Sequence, residues 1–341
     1  MHFAFTDDQA AINEAARAML EESCQPADLR RMLDAGTTFD AGRWQTICEM
    51  GLPGMLAPES AGGLGLDLVD FVAIAEAAGY VALPEPLVEL AGIAVPLLAR
   101  AGADDLLAAA IAGDYVALGH PANPFVVNAD QAKALLLGDG DTLHCVDPND
   151  VTLVPRESFD PCRRLFAVEW QPSPATRLDC GWGDTLDRAA VLMAAQMLGV
   201  AQRAIDMAVG YARDRHQFGK PIGSYQAVKH LAANAQVKVE FARPVVQAAA
   251  AELPRGGMAA RARAAHARIA AAEAVDLATR NAVQIHGAMG MTWEVDLHFW
   301  VKRGLALQRS WGSTATAMDS VIARMSALPT GPEFTFASEL A

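Results

Sequence analysis

Residues 186–226 decide the fold, and they read LDRAAVLMAAQMLGVAQRAIDMAVGYARDRHQFGKPIGSYQ. Their first two-thirds consist almost entirely of helix formers. Apolar side chains recur there at three- and four-residue steps over residues 191–212, which predicts one long helix with an apolar stripe. Arg213 and Arg215 stand in the last turn, where cations suit the helix dipole, and the glycine and proline of residues 218–221 then end the helix. Taken alone, this segment fits an ordinary core helix with a C-cap as well as it fits a basic binding loop.

Length, composition and charge limit the possible functions. A chain of 341 residues exceeds what one hydrophobic core usually organises, so we expect two or three subdomains. The chain is 52% hydrophobic, 20% charged and 6% aromatic, which is typical of a globular protein that favours helix. Its net charge of −13 excludes a basic field that could hold a nucleic-acid backbone or an anionic membrane. A phosphate-bearing ligand must therefore be held locally, by a few arginines and backbone amides.

The cysteines and the N-terminus indicate in which cellular compartment the protein is expected. The five cysteines are odd in number, scattered and free of C-x-x-C pairs, which favours a reduced cytosolic protein over a disulfide or zinc scaffold. The first twenty residues lack a basic leader followed by an apolar core, and no run is long and uncharged enough to span a bilayer. We therefore expect a cytoplasmic protein that binds neither nucleic acid nor membrane nor a metal ion.

The order of the periodic segments predicts an α+β protein with segregated elements. Helical patterns dominate residues 1–114 and begin after Thr6, a natural N-cap with Gln9 in capping-box register. Short β-type runs between turn signals follow over residues 115–180 and predict a small β domain. Helical patterns return over residues 181–341 and predict a C-terminal helical bundle. The clearest β-type runs are Ala134–Leu137, Thr152–Val154 and Leu165–Val168.

The C-terminal segment contains two further predicted helices, over about 224–247 and 258–285. We expect no strand between Leu186 and Gln247, because the helical periodicity there is nearly continuous. Pro244 lies within the first of these helices and should kink or end it, because proline lacks a backbone N–H.

A second informative stretch, NAVQIHGAMGMTWE over 281–294, ends the last of these helices. Gln284 at the helix end, followed by a glycine turn, can present an amide and free backbone donors to a polar ligand. A plain helix cap explains the glycines equally well. His286 and His298 are too far apart for a metal pair on one helix and have no cysteine or carboxylate at ligand spacing, so we assign both to capping or core roles.

These motifs resemble those of the flavin-dependent acyl-CoA dehydrogenases over nearly the whole chain. The two most specific are Arg215-x-x-Phe218-Gly219-x-Pro221-Ile222 and Gln284-Ile285-His286-Gly287. Further matches are Phe5-Thr6-x-x-Gln9, Trp44, Gly51-Leu52, Pro58-Glu59-x-x-Gly62-Gly63 and Glu76-x-x-Gly79. The resemblance implies an N-terminal helical domain, a small β domain and a C-terminal four-helix bundle. It also implies removal of two hydrogens across Cα–Cβ of an acyl-CoA thioester, with a glutamate as base, FAD as hydride acceptor and an electron-transfer flavoprotein as electron acceptor.

The resemblance also implies where FAD is held. In the family, both specific motifs of one subunit hold the FAD of its neighbour, which implies an oligomer. The residues that carry this role over to the present chain are Arg215, Gln217, Phe218, Gln284 and Gly287. A pyrophosphate and an adenosine need cations and amides, and the flavin ring needs a dry slot, which helices of a packed bundle can supply.

The chain departs from the family at the catalytic base. One family position for the glutamate is occupied by Trp311 and the alternative position on the long helix by Ala189. Asp187 is two residues from Ala189, which turns its side chain about 200° away on a helix. Residues 118–124, LGHPANP, are a short and altered version of a family run that touches flavin and substrate, so the predicted β domain is reduced and its flavin slot defective.

Subunits that lack the base in this way resemble the minor partners of heteromeric acyl-CoA dehydrogenases of actinobacterial steroid side-chain degradation. Three hypotheses stay open. The chain contributes half of an FAD site to a homologous, base-bearing subunit. Alternatively, it is an inactive homo-oligomer that acts as a binding or scaffold protein for acyl-CoA. The third is an active homo-oligomer with an unrecognised base such as Asp187 or Glu294.

Overall fold

The N-terminal part of the chain is helical. The computed structural model describes residues 6–327. The helices before the first strand are α1 (Asp7–Ser23), α2 (Pro26–Asp34), α3 (Ala41–Glu49), α4 (Leu68–Tyr80), α5 (Leu87–Glu89), α6 (Val95–Ala101) and α7 (Asp104–Ile111). A π-helical turn over Leu90–Ala94 joins α5 to α6. The predicted capping box begins α1, because the Thr6 hydroxyl accepts from the Gln9 amide and the Gln9 side chain accepts from the Thr6 amide.

Seven short strands follow. They are β1 (Val116–Gly119), β2 (Phe125–Val127), β3 (Ala134–Asp139), β4 (Thr142–Val146), β5 (Thr152–Arg156), β6 (Leu165–Glu169) and β7 (Arg177–Gly181). They form a four-stranded sheet in the order β1-β3-β4-β7, with β1 and β3 parallel, and an antiparallel sheet in the order β2-β6-β5. The three clearest β-type runs of the sequence are confirmed as β3, β5 and β6.

The C-terminal part is a bundle of long helices. Its elements are α8 (Thr185–Asp214), β8 (His216–Gln217), β9 (Lys220–Pro221), α9 (Gln226–Glu252), α10 (Gly257–His286), α11 (Leu297–Leu307) and α12 (Thr314–Ala327). The long helix predicted from residues 186–226 is confirmed as α8. Helices α8, α9 and α10 pack against one another, α11 packs on α8, and α12 packs on α10. The expected order of N-terminal helices, a small strand region and a C-terminal helical bundle is therefore confirmed.

One local expectation about this bundle is wrong, and one of the two effects expected of Pro244 is absent. Strands β8 and β9 form a two-residue hairpin between α8 and α9, where no strand was expected, because helical periodicity carries no information about the turn that follows it. Pro244 does not end α9, which continues to Glu252. Val239 and Val246 are fully buried on either side of it, so packing of both halves outweighs the lost hydrogen bond.

The N-terminal helices meet the bundle through a contact between backbones. A Cβ atom placed on Gly79 of α4 would lie 2.1 Å from the backbone oxygen of Gln196, and one on Gly199 of α8 would lie 1.8 Å from that of Glu76. Both distances are far below van der Waals contact, so only glycine permits α4 and α8 to approach this closely. The large buried core is continuous across this contact, from α1 to α11.

A cluster of buried ion pairs joins the three parts of the chain. Its pairs are Arg43–Glu85 at 2.8 Å, Arg163–Glu89 at 3.2 Å and Arg303–Asp160. Four of these side chains, Glu85, Glu89, Arg163 and Arg303, line one small cavity. Glu89 ends α5 and Glu85 lies in the segment before it, whereas Arg163 comes from the strand region and Arg303 from the bundle, so the cluster lies where the three parts meet.

The change from helix to strand lies between Ile111 and Val116, and the change back to helix between Gly181 and Thr185. The division into domains 1–114, 115–180 and 181–341 stays a proposal, since residues 1–5 and 328–341 lie outside the described part. Within residues 6–327, no helix combines the length and apolarity that crossing a bilayer requires.

Candidate functional site

The two specific motifs lie at the same end of the bundle. Helices α8 and α10 are linked through the antiparallel α9, so they run in the same direction and their C-termini are neighbours. The Tyr211 ring near the end of α8 stacks on the His286 ring at the end of α10, with 4.4 Å between ring centroids. Ala212 and Ile285 belong to one small apolar cluster beneath these ends. Tertiary packing thus brings together segments about 70 residues apart in the chain.

The loop after α8 is held in one conformation by its own contacts. The Ile222 amide donates to the Arg215 carbonyl at 2.8 Å, and the Tyr225 hydroxyl donates to the Gln217 carbonyl at 3.3 Å. The Lys220 ammonium lies 4.3 Å from the centre of the Tyr225 ring, a cation–π contact. A loop fixed in this way can present its outward side chains in a defined arrangement.

Phe218 is the most unusual residue of this loop. Its φ of +52° lies in the left-handed region, which a bulky side chain adopts only at an energetic cost, and its side chain is 92% exposed. Exposing a large aromatic ring to water is also unfavourable. Both costs indicate that the loop is shaped to place this ring against something outside the chain.

The turn after α10 complements the loop. Gly287 has φ +61°, and a Cβ atom added to it would meet nothing within 4 Å, so the turn is open to solvent. Gln284 is exposed beside it. His286 points the other way, because its ring is buried and its Nδ1 lies 2.8 Å from the Ala282 carbonyl oxygen. The predicted core role of His286 therefore agrees with its position.

All five residues predicted to hold FAD are exposed at this end of the bundle: Arg215, Gln217, Phe218, Gln284 and Gly287. They offer a guanidinium, two carboxamides, an aromatic face and an open glycine turn. This donor set fits a pyrophosphate and a ring system, because phosphate pairs with guanidinium and aromatic rings cover flat heterocycles. The residues form a surface rather than an enclosed slot, so they suit a cofactor that a second subunit encloses from the other side.

The two family positions for a base contain no carboxylate. Ala189 is fully buried inside the bundle. Trp311 is 4% exposed, with φ +58°, and its backbone N–H donates to Asn123 Oδ1 at 3.1 Å. Its ring lies 6.0 Å from the Trp182 ring, which in turn lies 5.0 Å from the His120 ring. Aromatic side chains therefore fill the corner between the strands and the bundle where the base was sought.

Asp187 lies beside this corner. It borders a cavity of about 540 Å³ together with Ala190 and Trp311, whereas Ala189 is not part of the lining. The two residues thus face different ways, as predicted, but the cavity is on the Asp187 side. Burial raises the pKa of the Asp187 carboxyl, and Arg261, 3.5 Å away, partly offsets this. Glu294 is exposed in the turn before α11.

The sequence interpretation missed the residues that support the site. Tyr211 is one turn before Arg215 on α8, and Tyr225 immediately precedes α9. Their aromatic character is visible in the chain, but nothing in the local pattern shows that Tyr211 stacks on His286 or that Tyr225 holds Gln217. Such contacts depend on how the helices pack.

His298, in the first turn of α11, is partly buried between aromatic rings. Its ring centroid is 4.2 Å from those of Trp293 and Phe299, and neither ring nitrogen has a hydrogen-bond partner among the described residues. Burial, followed by Lys302 and Arg30, lowers its pKa from 6.5 to about 4. The ring is therefore a neutral packing element and not a cap.

This depressed pKa predicts a pH effect on stability. The unfolded chain binds a proton at His298 below about pH 6.5 and the folded chain only near pH 4, so stability falls as the pH drops through that window. Between pH 7 and pH 5 the free energy of unfolding should fall by about 1 kcal/mol. This is less than the whole pKa shift implies, because the ring is partly exposed to solvent. In urea unfolding experiments, the His298→Phe variant should lose less stability over this pH range than the wild type. The control variant His266→Phe, at an exposed histidine of α10, should lose as much stability as the wild type. Equal pH dependence in all three proteins would refute the prediction.

Comparisons with known proteins match both helical parts of the chain. Residues 6–112 match the family described as acyl-CoA dehydrogenase, N-terminal domain, and residues 183–326 match acyl-CoA dehydrogenase, C-terminal domain. The chain is 36% identical over 305 residues to the acyl-CoA dehydrogenase IpdE2 of Mycolicibacterium smegmatis, covering 87% of this chain and 92% of that protein.

Solved structures share the fold. The ChsE4–ChsE5 complex from Mycobacterium tuberculosis contains a chain that superposes with a TM-score of 0.84 at 23% identity, covering 97% of this chain and 100% of that chain. The Tcur3481–Tcur3483 steroid ACAD gives a TM-score of 0.82 at 22% identity, with coverage of 94% and 99%.

Proposed function

Because the chain belongs to the acyl-CoA dehydrogenase family, FAD-dependent oxidoreductases that act on CH–CH bonds, we propose that it supplies half of an FAD site to a homologous subunit that carries the base. The reaction is the α,β-desaturation of an acyl-CoA thioester. One observation carries the proposal: the cofactor motifs are presented outward at one end of the bundle, whereas both base positions of this chain lack a carboxylate.

Each residue of the exposed motifs has a definite task in this arrangement. FAD, when bound, supplies the acceptor for the hydride that leaves the β-carbon. The Arg215 guanidinium binds the negatively charged diphosphate through charge-assisted hydrogen bonds. The carboxamides of Gln217 and Gln284 orient the polar edges of FAD, and the Phe218 ring excludes water from one side of the cofactor. None of these groups removes the α-proton, which falls to a glutamate of the other subunit.

The partner is proposed to be a homologue rather than an unrelated protein. The ChsE4–ChsE5 complex and the Tcur3481–Tcur3483 steroid ACAD are each named as pairs of chains, and both share this fold. In this chain Phe218 and Met291, near the two cofactor motifs, are 92% and 80% exposed, which suits coverage by a second subunit. Because one of these similar structures is described as a steroid ACAD, the acyl group is proposed to derive from a steroid. The family resemblance supports an electron-transfer flavoprotein as the proposed electron acceptor.

A second candidate function rests on Asp187. Its carboxylate borders the cavity beside Trp311, and burial raises the pKa of this carboxyl, as expected of a group that takes a proton from carbon. An active homo-oligomer with Asp187 as base would follow. Its pairing with Arg261 argues against this, because a carboxylate held by a guanidinium is a weaker base. An inactive acyl-CoA-binding oligomer would show neither activity nor a dependence on a partner.

The FAD assignment predicts that Arg215→Ala weakens cofactor retention and leaves the fold intact. A hydrogen bond to a charged group contributes roughly 1.5–3 kcal/mol, so release should increase about ten- to a hundredfold. Flavin content after dialysis of the assembled oligomer measures this. Lys238→Ala is the matched control, because Lys238 is exposed and lies about 18 Å along α9 from its first residue. Unchanged flavin content in the Arg215→Ala variant would contradict the assignment of Arg215 as an FAD-binding residue.

A further inference from the structure

Arg30 of α2 reaches from the N-terminal helices to the segment that follows the second cofactor motif. Its Nε donates to the Asp296 carboxylate, and its Nη2 donates to the Trp293 carbonyl at 2.7 Å. One planar guanidinium thus binds a carboxylate and a backbone oxygen in a fixed two-point geometry. The bonds join residues 266 and 263 positions apart, and they hold the turn before α11 against α2.

The segment that these bonds hold is itself compact. It begins with a short stretch of 3₁₀-helix, Gly287–Met291, and the Thr292 amide and hydroxyl both donate to the Met289 carbonyl, at 3.1 and 2.9 Å. The Lys302 ammonium lies 4.0 Å from the centre of the Trp293 ring, a cation–π contact. A shift at Trp293 therefore moves a connected turn rather than a loose loop.

This turn packs directly on the last turn of α10, which carries Gln284. A Cβ atom added to Gly290 would lie 2.8 Å from the Val283 carbonyl oxygen and 3.0 Å from the His286 Cβ, so the turn lies against the helix itself. The Gly287 amide donates to the Gln284 carbonyl. The end of α10 that presents the second cofactor motif is thus tied, through continuous contacts, to the N-terminal helices.

We propose that Arg30 is a positioning residue for FAD binding, which fixes the segment after α10 so that Gln284 and the open turn at Gly287 meet the cofactor. The inference rests on the proposed function and gives the N-terminal helices a part in it, although they contain none of the five residues assigned to FAD. Arg30 acts through the turn, because its guanidinium is engaged by Asp296 and the Trp293 carbonyl.

Removing the guanidinium should weaken FAD binding and leave the fold intact. Equilibrium dialysis of the assembled Arg30→Met oligomer against FAD should give a dissociation constant roughly two- to tenfold higher, the range that one hydrogen bond contributes. The Arg30 and Asp296 side chains are 37% and 28% exposed, so solvent screens their ion pair and the melting temperature should change by less than about 3 °C. A much larger fall in melting temperature would assign the effect to folding and overturn the positioning role.

The neighbouring arginine provides the matched control. Arg31 lies next to Arg30 on α2 and has the same charge, but it pairs with Asp28 and Asp40 of the N-terminal part. Arg31→Met should therefore bind FAD as the wild type does. Equal weakening in both variants would show that the loss of a positive charge, and not the position of the turn, is responsible.

A double-variant cycle shows whether Arg30 acts through the turn. Arg30→Met should weaken FAD binding much less in a chain that already contains Gln284→Ala, because the carboxamide that it positions is then absent. The same change added to Arg215→Ala should keep its full effect, because Arg215 lies in the separate loop after α8. Full additivity in both cycles would contradict the positioning role.

The single variants also separate this inference from the proposed function. If Gln284→Ala or Arg215→Ala lowers FAD retention and Arg30→Met does not, the FAD site stands and the positioning role is wrong. If none of the three changes FAD binding, the FAD assignment and the positioning role both fail.

Discussion

The purified chain, saturated with FAD and free of any partner, should not desaturate an acyl-CoA, whereas its complex with a homologous, base-bearing subunit should. The α-proton of a thioester is weakly acidic and must be taken by a base within about 3 Å in a largely dry pocket. Ala189 has no polar side-chain atom, and Trp311 offers only an N–H donor. Losing a positioned base removes roughly 10²- to 10⁴-fold of the rate.

Restoring the carboxylate at one position should not restore activity. Trp311 is buried with φ +58° and packs on Trp182, so Trp311→Glu would place a charge in a buried aromatic corner and remove the ring that fills it. Flavin bleaching on addition of an acyl-CoA, and turnover with an artificial acceptor, measure the two half-reactions. If the lone chain bleached and turned over, the half-site proposal would be wrong. Asp187→Asn and Glu294→Gln would then identify which carboxylate acts as the base.

Arg303→Met should lower the free energy of unfolding by about 3–5 kcal/mol, the usual cost of breaking a buried ion pair. The Arg303 and Asp160 side chains are 2% and 1% exposed, so water cannot solvate the Asp160 carboxylate after its partner is removed. The guanidinium also donates to the Leu83 carbonyl at 2.8 Å, which would lose its partner. For a chain of this length, a loss of that size should lower the melting temperature by roughly 4–7 °C.

A matched control separates this effect from the loss of any arginine. Arg280 pairs with Asp276 at 2.9 Å on the surface of α10, and Arg280→Met should cost less than about 1 kcal/mol. The double variant Arg303→Met with Asp160→Leu should regain part of the loss, because no unpaired charge then remains buried. Calorimetry and urea unfolding monitored by tryptophan fluorescence measure all three. A loss of similar size in Arg280→Met and Arg303→Met would refute the role of burial.

Much of the fold could be predicted because its signals are local. The apolar period of α8 extends over residues 191–212, about six turns, and the capping box at Thr6 depends on residues three apart. The short β-type runs between turns correctly predicted β3, β5 and β6. The cofactor motifs could be found for the same reason, since each is a short run of specific residues. Their assignment to FAD stays a prediction for the five residues themselves.

The sequence by itself therefore determined the long helices, the small strand region, the family and the missing carboxylates at Ala189 and Trp311. Only the tertiary structure decided which residues meet across the chain. It stacks Tyr211 on His286, and it places Arg303 against Asp160, 143 positions away. It also places Asp187 beside a cavity that Arg261 and Trp311 line as well. Periodicity reports which face of an element is buried, but not what it is buried against, because that depends on contacts between residues far apart in sequence.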